Sequence, residues 1–212
     1  MNKRFLLKYW WLICGALLMT KAQAQNADIR LLRNIYDHRN ASLDHGLYVW
    51  SQTTYPVSIA VPIGLFTAGA LRHDKDMMLK SAEVGTGIVA AVALNTVVKY
   101  AVQRQRPYER YTGIVPYQTE NSPSFPSGHT AAAFATATSL TLAYPKWYIA
   151  VPAYLWAGGV GYSRLQLGVH YPSDVLCGAL IGTGTAVANH YVHRLLRKHF
   201  FQKPQAVPVT AF

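Results

Sequence analysis

The chain has 212 residues, a formal net charge of +11, 51% hydrophobic residues and only 14% charged ones, against about 25% charged in ordinary soluble domains. Its length bounds it to one domain. Two cysteines, Cys14 and Cys177, exclude a disulfide scaffold, and basic residues scattered over short loops exclude a nucleic-acid face, which gathers them on one stripe.

Residues 1–24 read as an export signal: basic over Met1–Lys8, apolar over Tyr9–Met19, then Ala22-Gln23-Ala24 with cleavage after Ala24. An uncleaved first transmembrane helix is the alternative, although the apolar run is short of the about 20 residues a span needs. Residues 25–54 form a periplasmic helical region. Over 28–52, Ile29, Leu32, Ile35 and Tyr36 recur at helical spacing, with Arg30, Arg33, Asp37 and Arg39 between them. Such a helix lies on a membrane surface or faces solvent. Asn40–Asp44 ends it.

The core, residues 55–192, holds five apolar segments: Tyr55–Leu71, Ala82–Val102, Thr130–Tyr144, Trp147–Tyr162 and Val175–Val192. All are rich in Gly, Ala, Ser or Thr, as close-packed membrane helices are. Residues 193–212 form a tail that is basic through Lys203, with Pro204–Phe212 expected to be disordered. The fold expectation is all-α: a membrane-embedded bundle of five to six helices with an N-terminal amphipathic helix. A soluble bundle is the alternative. The short basic loops Arg72–Lys80 and Lys146 and the basic tail belong on the cytoplasmic side, which places Gln103–Ser127 and Ser163–Asp174 together on the opposite face.

Those two stretches carry the chemistry. Lys99 stands six residues before Arg106-Pro107, Pro126-Ser127-Gly128-His129 follows, and Ser163-Arg164 leads to His170 and Asp174. Each cluster alone is weak. Ordered and spaced together, they supply three fixed cations, a hydroxyl, a glycine amide, two histidines and a carboxylate, which suits holding a tetrahedral oxyanion and attacking it with an imidazole.

This set resembles the type 2 phosphatidic acid phosphatase family, whose site is shared with vanadium-dependent haloperoxidases. The resemblance covers roughly residues 28–192, and every motif position matches. It implies the following roles. His170 is the nucleophile, forming a phosphohistidine. Asp174, in a first helical turn just past Pro172, accepts the other ring N–H and fixes the tautomer; a helix cap is its plain alternative. His129 is the general acid, protonating the leaving alkoxide and then activating water. Ser127 and Gly128 cradle phosphate at a helix N-terminus. Lys99, Arg106 and Arg164 neutralise the equatorial oxygens.

Arg104 and Arg110 read as surface or head-group contacts, and Pro107 as the residue that ends the preceding helix. Tyr108–Phe125, with Tyr108, Tyr111, Tyr117, Glu109 and Glu120, reads as a rim over the site. His38, His45, His73, His190, His193 and His199 read as surface residues. No metal or cofactor is implied, and vanadate, a phosphate mimic, is expected to inhibit. The leading functional expectation is a multi-pass phosphatase of the bacterial inner membrane with its site facing the periplasm. It would act on an anionic lipid phosphate: lipid A, undecaprenyl diphosphate, phosphatidylglycerol phosphate or phosphatidic acid. A soluble periplasmic acid phosphatase, a vanadium haloperoxidase and a non-catalytic binding module are the competing readings.

Overall fold

The computed structural model describes residues 26–201, with side chains to 197, and every regular element among them is helical. The export signal of residues 1–24, Cys14 and the tail over 204–212 fall outside the described residues, and the His199 side chain falls outside the described side chains. Helix α1 (26–37) keeps the amphipathic pattern: Ile29, Leu32 and Tyr36 are buried while Arg30, Leu31 and Arg33 are exposed. Its inner face joins Ile114 and Tyr171 in a small apolar cluster. The Tyr36 hydroxyl donates to Val115 O at 2.7 Å and accepts from Val115 N at 3.0 Å. Helix α1 therefore packs on the segment that leads into the motifs.

A 3-10 turn, Ala41–Leu43, is capped by Asn40, whose side chain accepts from Ser42 N. Then come α2 (Asp44–Gln52), α3 (Thr54–Leu71), α4 (Lys75–Val102), α5 (Pro107–Arg110), α6 (Gly128–Ala143), α7 (Trp147–Gln166) and α8 (Pro172–Phe201). The five apolar segments of the sequence become α3, α4, α6, α7 and α8. Helix α4 starts at Asp74, whose carboxylate accepts from Met77 N at 3.0 Å. It ends at Gln103, which adopts a left-handed φ of 49°. Pro107 does not end a helix, contrary to the sequence expectation; it opens the single turn α5, because proline lacks only an N–H that a first turn leaves unpaired.

Small residues set how closely the helices approach. The α6 face is lined by Ala131, Ala132, Ala133, Ala135 and Ala137, all fully buried. Glycines of α8 press against it: a Cβ on Gly178 would stand 2.6 Å from Ser127 O, and one on Gly182 would collide with Ala131 O. Gly161 of α7 lets Val175 and Thr130 approach in the same way. With no water to expel between helices in lipid, such close packing and hydrogen bonds between helices supply the attraction. The hydroxyls of Ser58 and Thr136 lie 2.8 Å apart, and those of Thr138 and Tyr154 2.9 Å apart.

Three helical stretches, Ala41–Leu71, Lys75–Arg110 and Pro172–Arg197, are long and apolar enough to cross a membrane. Their outward residues are apolar: Ile59 and Ile63 on α3, Val89 and Val97 on α4, and Leu176 and Leu180 on α8 are all exposed. Apolar faces of this extent need a covering, and lipid covers them. Helix α6, with 16 residues, is about 24 Å long, shorter than the about 30 Å hydrocarbon core, and it sits among the longer α3, α4, α7 and α8.

At the end of the bundle where α4 begins, a second polar group forms. Buried Glu83 faces His190 Nδ1 at 2.6 Å, and Asp76 pairs with Lys80 and Arg197. His190 is therefore half-buried and paired, not a free surface residue. Its partner lies 107 positions away, beyond the reach of any local pattern. At the opposite end, the C-termini of α4 and α7 meet the N-termini of α6 and α8, and the three motifs converge there.

Candidate active site

His170 lies in the five-residue turn between α7 and α8. That turn depends on Gly168, whose φ is +70° and whose Cβ would press on Ile114 and Tyr36; a side chain would be strained there. The amides of Val169 and His170 both donate to Arg164 O, folding the turn back over the end of α7. His170 is almost completely buried. Its Nδ1 faces Asp174 Oδ2 at 3.4 Å, and its Nε2 faces Arg106 Nη1 at 3.4 Å. Burial pushes its pKa down to about 3, and the Asp174 carboxylate only partly offsets that. The imidazole is thus neutral at ordinary pH, with a lone pair for attack.

Asp174 is fully buried in the first turn of α8 and is held on all sides. Its Oδ2 accepts from Ser124 Oγ and from Tyr171 N at 3.0 Å, and its Oδ1 accepts from Arg104 Nη1 at 2.6 Å. The Arg104 guanidinium stacks over the Tyr171 ring at 3.7 Å and also donates to Asp28 of α1 at 2.7 Å. Arg104 is therefore not the surface or head-group contact that the sequence suggested. The Arg104-Gln105-Arg106 spacing was the available signal, but the partner on α1 was not visible. A carboxylate held this way fixes both the ring orientation and the tautomer of its histidine.

The cations come from two helix ends and one loop. Arg106 is fully buried and uses its whole fork. Nε donates to Ser122 O at 2.8 Å, Nη1 to Val169 O at 2.9 Å, and Nη2 to Glu120 Oε2 at 2.9 Å. Arg164 donates through Nη1 to Ser51 Oγ at 3.0 Å and pairs through Nη2 with Glu120 Oε1. Its Nε is buried without a partner among the described residues. Lys99 donates to Pro123 O at 2.6 Å and lies within electrostatic reach of Arg106, Arg164 and Asp174. It is buried beside the motifs and does not snorkel outward.

Ser127 is the N-cap of α6. Its hydroxyl accepts from Thr130 N and shares a 2.9 Å hydrogen bond with Thr130 Oγ1. The hydroxyl expected to meet a phosphoryl oxygen thus caps the helix, while Ser127 N donates to Asp174 O at 3.0 Å. The first amides of α6, at Gly128 and His129, have no acceptor within the helix. Around Gly128 lie Tyr55 and Asn95, which sequence reasoning missed; buried Asn95 Oδ1 has no partner among the described residues. The His129 ring packs against Tyr55, tilted by 58° with centroids 5.0 Å apart, and lies within electrostatic reach of Arg106 and Lys99.

The structure therefore brings His170, Asp174, Arg106 and Arg164 into one hydrogen-bonded group, with Lys99, Ser127, Gly128 and His129 at its edge. Glu120, read from sequence as part of a rim, bridges the two arginines. Among the described residues no group of three or more His, Cys, Asp or Glu is placed to hold a metal ion.

The chain is similar to several known proteins. An undecaprenyl-diphosphatase of Sulfolobus acidocaldarius is 37% identical over 104 residues, 45% of this chain and 46% of that protein. A lipid A 1-phosphatase of Porphyromonas gingivalis is 42% identical over 76 residues, 34% of this chain and 17% of that one. The chain spans less than half the length of either relative. The crystal structure of a transmembrane PAP2-type phosphatidylglycerolphosphate phosphatase from Bacillus subtilis superposes with a TM-score of 0.64 at 26% identity, over 96% of this chain and 100% of that one. The family model of the PAP2 superfamily matches residues 81–198, a stretch that contains every motif position from Lys99 to Asp174, and the chain belongs to that superfamily.

Proposed function

We propose that this protein is a metal-independent phosphatase that removes phosphate from a lipid monoester or diphosphate at the outer face of a bacterial inner membrane. The observation that carries the reading is the setting of His170: buried and neutral, one nitrogen on the Asp174 carboxylate, the other on the Arg106 guanidinium. A phosphoryl group bound by Arg106 and Arg164 would present its phosphorus to Nε2. The N–P bond forms as the ester P–O bond breaks, and His129, protonated once the phosphate dianion offsets the burial and the Arg106 and Lys99 charges that lower its pKa to about 4, gives that proton to the departing alkoxide. His129 then takes a proton from water, which attacks the phosphohistidine and releases inorganic phosphate. Lys99, Arg106, Arg164 and the first amides of α6 stabilise the charge on the equatorial oxygens. Side chains supply the positive charge, so the reaction needs no metal, and vanadate should compete for the same place.

The apolar outer faces of α3, α4 and α8 favour a membrane enzyme over a soluble one. The names of the relatives point to lipid A, undecaprenyl diphosphate and phosphatidylglycerol phosphate as first substrates to try, with phosphatidic acid beside them. The test is phosphate release by detergent-purified protein in EDTA, with a His170→Ala control and a water-soluble ester for comparison. Release from one lipid, lost in the variant, together with an acid-labile phosphoprotein trapped at early times, is the expected result. No release from any of the four lipids by folded protein would sink the reading.

A further inference from the structure

Both carboxylate oxygens of Glu120 are engaged, one with Arg106 Nη2 and the other with Arg164 Nη2. These are the groups that, on the reading above, grip two phosphoryl oxygens. A carboxylate offers a guanidinium two coplanar acceptors much as phosphate does. We infer that Glu120 is a built-in anion seated where the substrate phosphate binds, and that every substrate must displace it. This rests on the proposed phosphatase site and adds the residue that sets its affinity.

Three observations support the assignment. The first is charge. Lys99, Arg106 and Arg164 are all buried within electrostatic reach of one another, and buried like charges need a counter-ion. Asp174 is already taken by Arg104 and Ser124, so Glu120 fills that need when no ligand is bound. The second is access. Arg106 and Arg164 are essentially inaccessible, whereas the Glu120 side chain is 26% exposed and enters from the solvent side. The third is tethering. Glu120 stands in a stretch without helix, 111–127. Its backbone is held by one hydroxyl: Tyr108 OH donates to Glu120 O at 3.2 Å and accepts from Glu120 N at 3.0 Å. From that anchor the Glu120 side chain can swing out of the site without unfolding a helix.

The consequence is selective in a specific manner. If the free seat is only fractionally populated, every anion loses affinity by that same fraction. A dianionic monoester or terminal phosphate, strongly gripped by three cations, still binds. A monoanionic phosphodiester, the common head-group link of membrane lipids, falls below useful affinity. Glu120 thus keeps abundant diester lipids out of the site by a uniform penalty, with no steric gate.

The test is titration of inorganic phosphate and of dimethyl phosphate into detergent-purified full-length protein, followed by calorimetry. Wild type is compared with Glu120→Gln, which keeps shape and loses charge, and Tyr108→Phe, which keeps the carboxylate and loses its tether. Glu120→Gln should tighten both ligands by a common factor of about tenfold or more, with a lower KM and stronger product inhibition. Tyr108→Phe should shift both in the same direction by less. It decides the matter alone if Glu120→Gln does not fold. Unchanged or weaker phosphate binding in the folded variants would overturn the inference. Because binding is read without turnover, an inactive wild type would count against the phosphatase reading and leave this one to the titration.

Discussion

The two ends of the bundle both carry buried or half-buried charges, and they are wired differently. Where α4 begins, acids and bases are matched: Asp76 with Lys80 at 2.8 Å and with Arg197 at 3.0 Å, Glu83 with His190 at 2.6 Å. Asp76 is largely open to solvent and Arg197 partly so, so water screens the Asp76 pairs and each contributes little. Where α4 ends, the side chains of Arg106, Asp174 and His170 are shut away from solvent, and two buried cations, Arg106 and Arg164, share one partly exposed carboxylate, Glu120. An unmatched buried charge costs more than a matched pair returns. The first end therefore reads as a tie between α4 and α8, and the second as a place held ready for an anion.

That contrast predicts a steep ordering of mutational effects. His170→Ala should remove the most, a loss of at least about 10⁴-fold in phosphate release, with the thermal midpoint in detergent little changed. Asp174→Asn should follow, with about 10³–10⁴-fold lost from kcat, because an amide can hold the wrong tautomer; retention of wild-type rate would show that Arg106 alone orients His170. Gly182→Val should lower stability by about 3 kcal/mol through overpacking against α6, read as a fall in the thermal midpoint. Arg104→Gln should lower kcat by about 10–100-fold with KM nearly constant, since it acts through Asp174; an effect confined to KM would make it a head-group contact after all. Arg197→Ala should change stability by no more than about 1 kcal/mol and leave turnover untouched. A large effect there would break the comparison.

Much of this was legible in the sequence for one reason: helices and their ends are local. The five apolar segments match α3, α4, α6, α7 and α8 because burial periodicity and small-residue content are properties of short windows. His170 and Asp174 share one turn and its following helix, so their juxtaposition follows from spacing alone. What stayed hidden depends on contacts between distant segments. Arg104 meets Asp28 across 76 positions, and Arg164 meets Glu120 across 44. A charge in a loop announces itself, but its partner is chosen by the path of the chain. The Pro107 expectation failed differently: Gln103 had already turned the chain by adopting a left-handed conformation, which glutamine seldom signals. The N-cap role of Ser127 was not read from the sequence, because a cap and a phosphate donor use the same hydroxyl.

The hydrogen bond from Ser127 N to Asp174 O, flanked by Gly178 and Gly182, joins the starts of α6 and α8 into one mechanical part. His129 is the second residue of one of those helices and His170 stands two residues before the other. A tilt of either helix would carry the other with it, so His129 and His170, the proton donor and nucleophile of the proposed reaction, would move together. On the proposed reaction, that linkage would keep the distance between the two imidazoles constant while the surrounding helices adjust to the bilayer.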